Sequence, residues 1–206
     1  NFDFSQPGEH AFFITGGAGD IETKIMIPEV IKHHAIMVIC HPHPLGEGTM
    51  DNKVVTTIAR ACRDVGIPSL RFNFRGVNQS QGSFDNAKGE TEDLLTILSL
   101  INQKRPEYDL LLSGFSFGAY VAYQGCIQHD VDLLISIAPA VHLYDFETLA
   151  LPKCPWTIIQ GEQDELVPVQ QLYDWVEKIK PAAELIRLPE TSHFFHGKLV
   201  ALRQIF

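Results

Sequence analysis

Ser116 stands at the centre of Gly-Phe-Ser-Phe-Gly, residues 114–118. A serine hydroxyl is a poor nucleophile near neutral pH. It becomes one when a base lies within hydrogen-bond reach and a third group holds that base in the right tautomer. The chain offers both kinds of partner downstream. Acids stand at Asp145 and, within Gly-Glu-Gln-Asp-Glu-Leu-Val-Pro at 161–168, at Glu162, Asp164 and Glu165. Imidazoles stand at His193 and His196, in and just after Thr-Ser-His-Phe-Phe at 191–195. Serine, acid and histidine in this order could carry out acyl transfer. The hydroxyl would attack a carbonyl and the imidazole would move its proton to the leaving group.

The five-residue pattern is weak alone, since roughly one chain in fifteen of this length carries it by chance. Its surroundings strengthen it. Leu110, Leu111 and Leu112 read as a buried strand before it, and Gly118, Ala119 and Ala122 as a small-residue helix after it. A strand, a tight strained turn and a helix are the context in which G-x-S-x-G exposes its serine. Glycines two positions either side let strand and helix approach closely.

The other elements follow the same alternation. Residues 11–15 and 21–27 read as an antiparallel hairpin around the glycine-rich turn at 16–20. That turn lacks the following helix and the Lys-Ser/Thr of a phosphate cradle. Residues 35–40 are continuously apolar, as in a strand buried on both faces. Val54, Val55, Ile58, Ala59, Cys62 and Val65 recur at helical spacing up to a stop at Gly66. A strand over 67–74, a helix through Leu94 to Ile101, and strands over 131–138 and 155–160 come next. A helix opening at Pro168, a strand over 183–188 and a final helix over 197–206 complete the pattern. The expectation is one α/β domain, 1–206, built on a doubly wound, mainly parallel sheet with an N-terminal antiparallel hairpin. In such sheets ligands gather beyond the carboxyl ends of the strands. The segments there carry His41 and His43, Arg75, Ser116, Asp145, Asp164, and His193 with His196.

Composition limits the partners. The formal charge of −9 argues against nucleic acid or an anionic membrane surface, and no apolar run is long enough to span a bilayer. Cys40, Cys62, Cys126 and Cys154 form no Cys-x-x-Cys pair and lie among apolar neighbours. Buried reduced thiols in a cytoplasmic protein are expected, with disulfides as the other outcome. His41 and His43 suggest half of a metal site, but no third ligand stands at a recognisable spacing, so no metal or other cofactor is expected. His41 is read instead as a hydrogen bond in a tight, proline-rich turn. Arg75 is read as an ion pair with an acid of its own loop, or else as a cation for a substrate.

The whole pattern resembles the α/β-hydrolase superfamily over nearly the full length. Gly-Phe-Ser-Phe-Gly, the acid segment at 161–168, Ser-His-Phe-Phe at 192–195 and Asn-Phe-Arg-Gly-Val-Asn-Gln-Ser-Gln-Gly at 73–82 carry the likeness. His-Pro-His-Pro at 41–44 is similar to a small group of compact bacterial hydrolases in which it replaces the commoner His-Gly. The resemblance implies a serine hydrolase acting on a small acyl substrate, an ester or thioester, through an acyl-enzyme. Acyl transfer, peptidase action and non-catalytic binding on the same fold are the alternatives. It implies Ser116 as nucleophile, His193 as base and Asp164 as acid. It implies an oxyanion hole from the N–H of Phe117 and one from the His-Pro-His-Pro loop. Proline has no N–H, which leaves His43 or Leu45; alignment with relatives favours His43. Residues 142–153 are too few for the cap domain of many relatives. An open site without a large lid is expected, walled by Leu45, Arg75, Phe115, Tyr144 and Phe194.

Overall fold

The computed structural model describes residues 4–206. Its frame is one eight-stranded sheet in the order β1-β2-β4-β3-β5-β6-β7-β8. The strands are β1 (Gly8–Gly16), β2 (Gly19–Ile27), β3 (Ala35–Cys40), β4 (Ser69–Phe72), β5 (Asp109–Phe115), β6 (Leu133–Ile137), β7 (Trp156–Gly161) and β8 (Glu184–Leu188). β1 and β2 form the antiparallel hairpin, and β2 meets β4 antiparallel. Every other pairing is parallel.

The helices are α1 (Lys53–Val65), α2 (Lys88–Lys104), α3 (Phe117–Gln128), α4 (Val169–Ile179) and α5 (Leu199–Arg203). They divide between the two faces, and β3 shows why its sequence is apolar throughout. Ile36, Val38 and Cys40 pack into the larger core with α2, α3 and α4. Met37 and Ile39 pack on the opposite face with Val54, Ile58 and Cys62 of α1 and Leu202 of α5. Successive side chains of a strand point to opposite faces, so a strand covered on both sides must be apolar at every position.

α1 is framed as its sequence predicts. Asn52 caps it by accepting the N–H of Val54 at 2.9 Å, worth about 1 kcal/mol. Gly66, at φ 82°, ends it in the left-handed conformation. The strand expected over 67–74 is cut to Ser69–Phe72 because its ends have other partners. Ile67 donates to Cys62 at the helix end, Asn73 donates to Glu22, and Phe74 donates to His41. The helix expected over 197–206 is also shorter. Gly197 is left-handed at φ 70°, and Ile205 donates to Leu202, a tightened turn that closes α5 after Arg203.

The chain leaves β3 towards α1 on one face and leaves β5 towards α3 on the other. β3 and β5 are neighbours. The loops beyond their carboxyl ends therefore part there and leave a crevice, the usual ligand position in an open α/β sheet. The connection from β6 to β7 carries no helix, so no large cap covers that edge. Among the described residues no helix is long and apolar enough to cross a membrane.

Candidate active site

Ser116 occupies the single residue between β5 and α3, at φ 56° and ψ −114°. That region is sparsely populated for any residue with a Cβ and costs on the order of 1–3 kcal/mol, so surrounding structure must impose it. Two glycines show how. A Cβ on Gly114 would run into the Gly118 carbonyl, and a Cβ on Gly118 would run into the carbonyls of Cys40 and His41. Gly114 thus lets the first turn of α3 lie on β5, and Gly118 lets that turn touch the end of β3. The Ser116 N–H donates to Ile137 of β6 at 2.8 Å, and its carbonyl accepts Ala119 to start the helix.

The segment touched by Gly118 is His-Pro-His-Pro. His41 is fully buried. The Phe74 N–H donates to its Nε2 at 3.0 Å, and its Nδ1 lies 2.7 Å from the Pro42 carbonyl. Since Nε2 must accept, Nδ1 carries the proton and donates. Burial holds His41 neutral and pushes its pKa down to about 3, against the opposing pull of the Pro42 bond. It pins the end of β3 to the end of β4, the turn-holding role expected of it. His43 lies with its ring 4.9 Å from Phe117 and 5.0 Å from Phe84. Its Nδ1 accepts the Leu45 N–H at 3.2 Å. The Leu45 amide is therefore occupied within its own turn, whereas among the described residues the His43 amide has no acceptor. Phe117 opens α3, so its N–H has no carbonyl a turn below.

The acid and histidine loops meet beyond β7 and β8. A Cβ on Gly161 would strike the Thr191 carbonyl, so this glycine sets the close approach. The Asp164 carboxylate is shut off from solvent. Its Oδ1 accepts the N–H of Leu166 at 2.9 Å and of Val167 at 2.8 Å. Its Oδ2 accepts Gln160 at 2.9 Å and lies 2.8 Å from His193 Nδ1. Burial alone would raise the Asp164 pKa. The His193 hydrogen bond and charge, with the Val167 and Gln160 bonds, outweigh it and hold the carboxyl below its ordinary value. An ionised carboxylate only accepts, so it fixes the His193 proton on Nδ1 and leaves Nε2 with its lone pair, the form a base requires. His193 is 2% exposed, and its ring lies tilted 5.0 Å from that of Phe115, the residue before Ser116. The Ser116 hydroxyl is not hydrogen-bonded to His193 among the described contacts; such bonds commonly tighten only in the substrate complex.

The competing residues lie elsewhere or serve differently. Asp145 is exposed and caps its own turn through Thr148. His196 is exposed, its ring 6.1 Å from Phe194. Glu165 is not bound to the imidazole, but its Oε2 accepts the His193 main-chain N–H at 3.0 Å. Of the expected walls, Leu45 and Phe194 are exposed and Tyr144, half-buried, stacks on Tyr120 and meets Phe117 edge-on. Phe115 is fully buried beneath the His193 ring and offers no surface to a substrate. Arg75 is not a free cation, nor is it paired within its loop. It grips Asp93 of α2 with two bonds of 2.9 and 2.7 Å, in space that a side chain at Gly89 would fill.

Sequence reasoning passed over Gln160 and His142, and it weighed Glu165 only as a competing acid, not as the acceptor of the His193 main-chain N–H. His142 follows β6, feels the charges of His193 and Asp164, and has a buried Nδ1 with no partner among the described residues. Burial, reinforced by His193, holds its pKa below the ordinary value. Its place beyond a strand end was the signal available. Among the described residues no three His, Cys, Asp or Glu side chains converge as metal ligands would.

No protein-family model matches the chain. An uncharacterised protein of Rickettsia prowazekii, RP471, is 38% identical over 173 residues, 79% of this chain and 73% of that protein. The structure of an alpha-beta serine hydrolase homologue from Coxiella burnetii is 44% identical with a TM-score of 0.91, covering 95% of this chain and 94% of that one. That of XC6422 from Xanthomonas campestris, described as an a/b serine hydrolase without lid, is 41% identical with a TM-score of 0.92, covering 97% and 92%.

Proposed function

Since the chain belongs to the α/β serine hydrolases without a lid, we propose that it cleaves a carboxylic ester or thioester of a small acyl substrate through an acyl-enzyme on Ser116. His193 takes the Ser116 proton as the hydroxyl attacks, then delivers it to the leaving group. Asp164 keeps the ring in the accepting tautomer and steadies the imidazolium. The N–H groups of Phe117 and His43 receive the negative charge that develops on the carbonyl oxygen. A water, activated by the same imidazole, then releases the acid. The observation that carries this reading is the buried 2.8 Å contact between His193 Nδ1 and Asp164 Oδ2, on the loops beside the strained Ser116 elbow.

The reading is tested by fluorophosphonate labelling of the wild type and of Ser116→Ala, with p-nitrophenyl esters and acyl thioesters from two carbons upward. Labelling at Ser116 with turnover lost in the variant is expected. Folded wild type that takes no label and turns over none of the panel would overturn it.

A further inference from the structure

Away from the site, two thiols face each other. Cys126 lies in the last turns of α3 and Cys154 just before β7. Both are free, and their sulfurs are 3.6 Å apart. No other two cysteine sulfurs are within hydrogen-bond reach among the described residues. A disulfide needs about 2.0 Å, so the two Sγ atoms must close a gap of roughly 1.5 Å between them. Reagents can enter. A surface cavity of about 270 Å³ is lined by both cysteines together with Ile127, His129 and Lys153, and Cys154 is only half-buried. Cys40 and Cys62 are different, buried in the interior at 0% and 2% exposure.

We propose that Cys126 and Cys154 form an oxidisable dithiol that closes to a disulfide on reaction with a peroxide. The Cys154 sulfur attacks one peroxide oxygen and the O–O bond breaks. The other oxygen leaves, protonated, as water, and Cys154 becomes a sulfenic acid. The Cys126 thiol gives up its proton and attacks that sulfur. The S–O bond breaks and a second water leaves. Two thiols and one hydrogen peroxide become one disulfide and two waters, the sulfurs losing the two electrons that the peroxide gains.

The thiol environments order the steps. The hydrogen bond from Cys126 holds the Cys154 thiol below its ordinary pKa against the effect of burial, whereas burial pushes Cys62 up to about 12. The thiolate is the reacting species, so Cys154 attacks the peroxide first and Cys126 resolves the sulfenic acid. The cross-link would join α3, which begins at the Ser116 elbow, to the entrance of β7, whose far end leads to Asp164.

The test is hydrogen peroxide added to the native protein, followed by denaturing alkylation, intact mass and peptide mapping. The alkylatable thiols should fall from four to two, a single cross-linked peptide should join Cys126 to Cys154, and dithiothreitol should restore all of them. Cys154→Ser should keep three alkylatable thiols under the same treatment. Wild type that keeps every thiol, pairs other cysteines, or stops at an over-oxidised Cys154 with Cys126 still alkylatable would overturn the proposal. Fluorophosphonate labelling of the same samples reports the hydrolase reading separately.

Discussion

His193 Nδ1 and Asp164 Oδ2 lie 2.8 Å apart with both side chains all but closed to water, and Asp164 Oδ1 is tied to two further amides. The carboxylate is held on three sides, so its position is not negotiable for the imidazole. In Asp164→Asn, an amide N–H turned towards Nδ1 would force the ring proton onto Nε2. We expect kcat to fall about 10³–10⁴-fold with the fold intact. Ester kinetics beside circular dichroism check this.

Among the described residues the one hydrogen bond of the Glu165 side chain is to the His193 main-chain N–H, at 3.0 Å. Glu165 is a positioning residue. Glu165→Ala should lower kcat about tenfold with little change in KM, since a base displaced by a fraction of an ångström still meets bound substrate. Glu165→Gln keeps an acceptor oxygen and should restore most of the rate. Equal loss in both variants would show that the charge, not the bond, matters.

Gly118 and Gly17 form a controlled pair. A methyl group on Gly118 would press on two carbonyls at the end of β3, whereas one on Gly17 meets nothing within 4 Å. Gly118→Ala should lose about 1–3 kcal/mol of stability and most activity, because it wedges the elbow away from the His43 amide. Gly17→Ala should change stability by less than about 0.5 kcal/mol. Urea unfolding and ester turnover on both variants decide it.

Arg75 ties the loop after β4 to Asp93 of α2. Asp93, its partner, has a side chain only 1% exposed. Arg75→Ala leaves that carboxylate buried and alone, and should cost about 3–5 kcal/mol. At a temperature where the variant remains folded, KM for uncharged esters should match wild type. A raised KM for anionic esters alone would return Arg75 to the substrate pocket.

The pH dependence of stability turns on His41. Its folded pKa of about 3 lies below the ordinary 6.5. Between those values the unfolded chain binds a proton that the folded chain refuses. The contribution is complete above pH 6.5, shrinks as pH falls, and is gone below about 3, with a slope on the order of 1.4 kcal/mol per pH unit. Asp164, also depressed, adds its loss further down, below the ordinary carboxylate range. Urea midpoints from pH 7.5 to 4.5 should fall less steeply in His41→Gln than in wild type.

What the sequence revealed was local. The strand-glycine-serine-helix pattern at 109–128 and the histidine and acid segments announce themselves within a few residues, because turn geometry and strand periodicity are short-range. Pairings across long intervals were not legible. Arg75 finds Asp93 in the next helix rather than an acid of its own loop, because the gap opposite Gly89 receives the guanidinium. The choice between His43 and Leu45 rested on alignment, and only the folded turn shows that the Leu45 amide donates to the His43 ring. Phe115 looked like a pocket wall by composition, and only packing shows it underlying His193. Cys126 and Cys154, unremarkable in spacing, meet because the segment entering β7 lies against the last turns of α3, where Tyr123 also meets Trp156 edge-on.

The His41 clip has a practical consequence for anyone redesigning the crevice beyond β3 and β5. One imidazole joins the turn after β3 to the backbone after β4. Grafting a foreign segment at 41–48 without its natural companion at 73–84 would strand either the Phe74 amide or a ring nitrogen in a dry interior, at about 1–3 kcal/mol. The two loops are a single exchangeable cassette, and libraries that diversify one while freezing the other would sample mostly misassembled clefts.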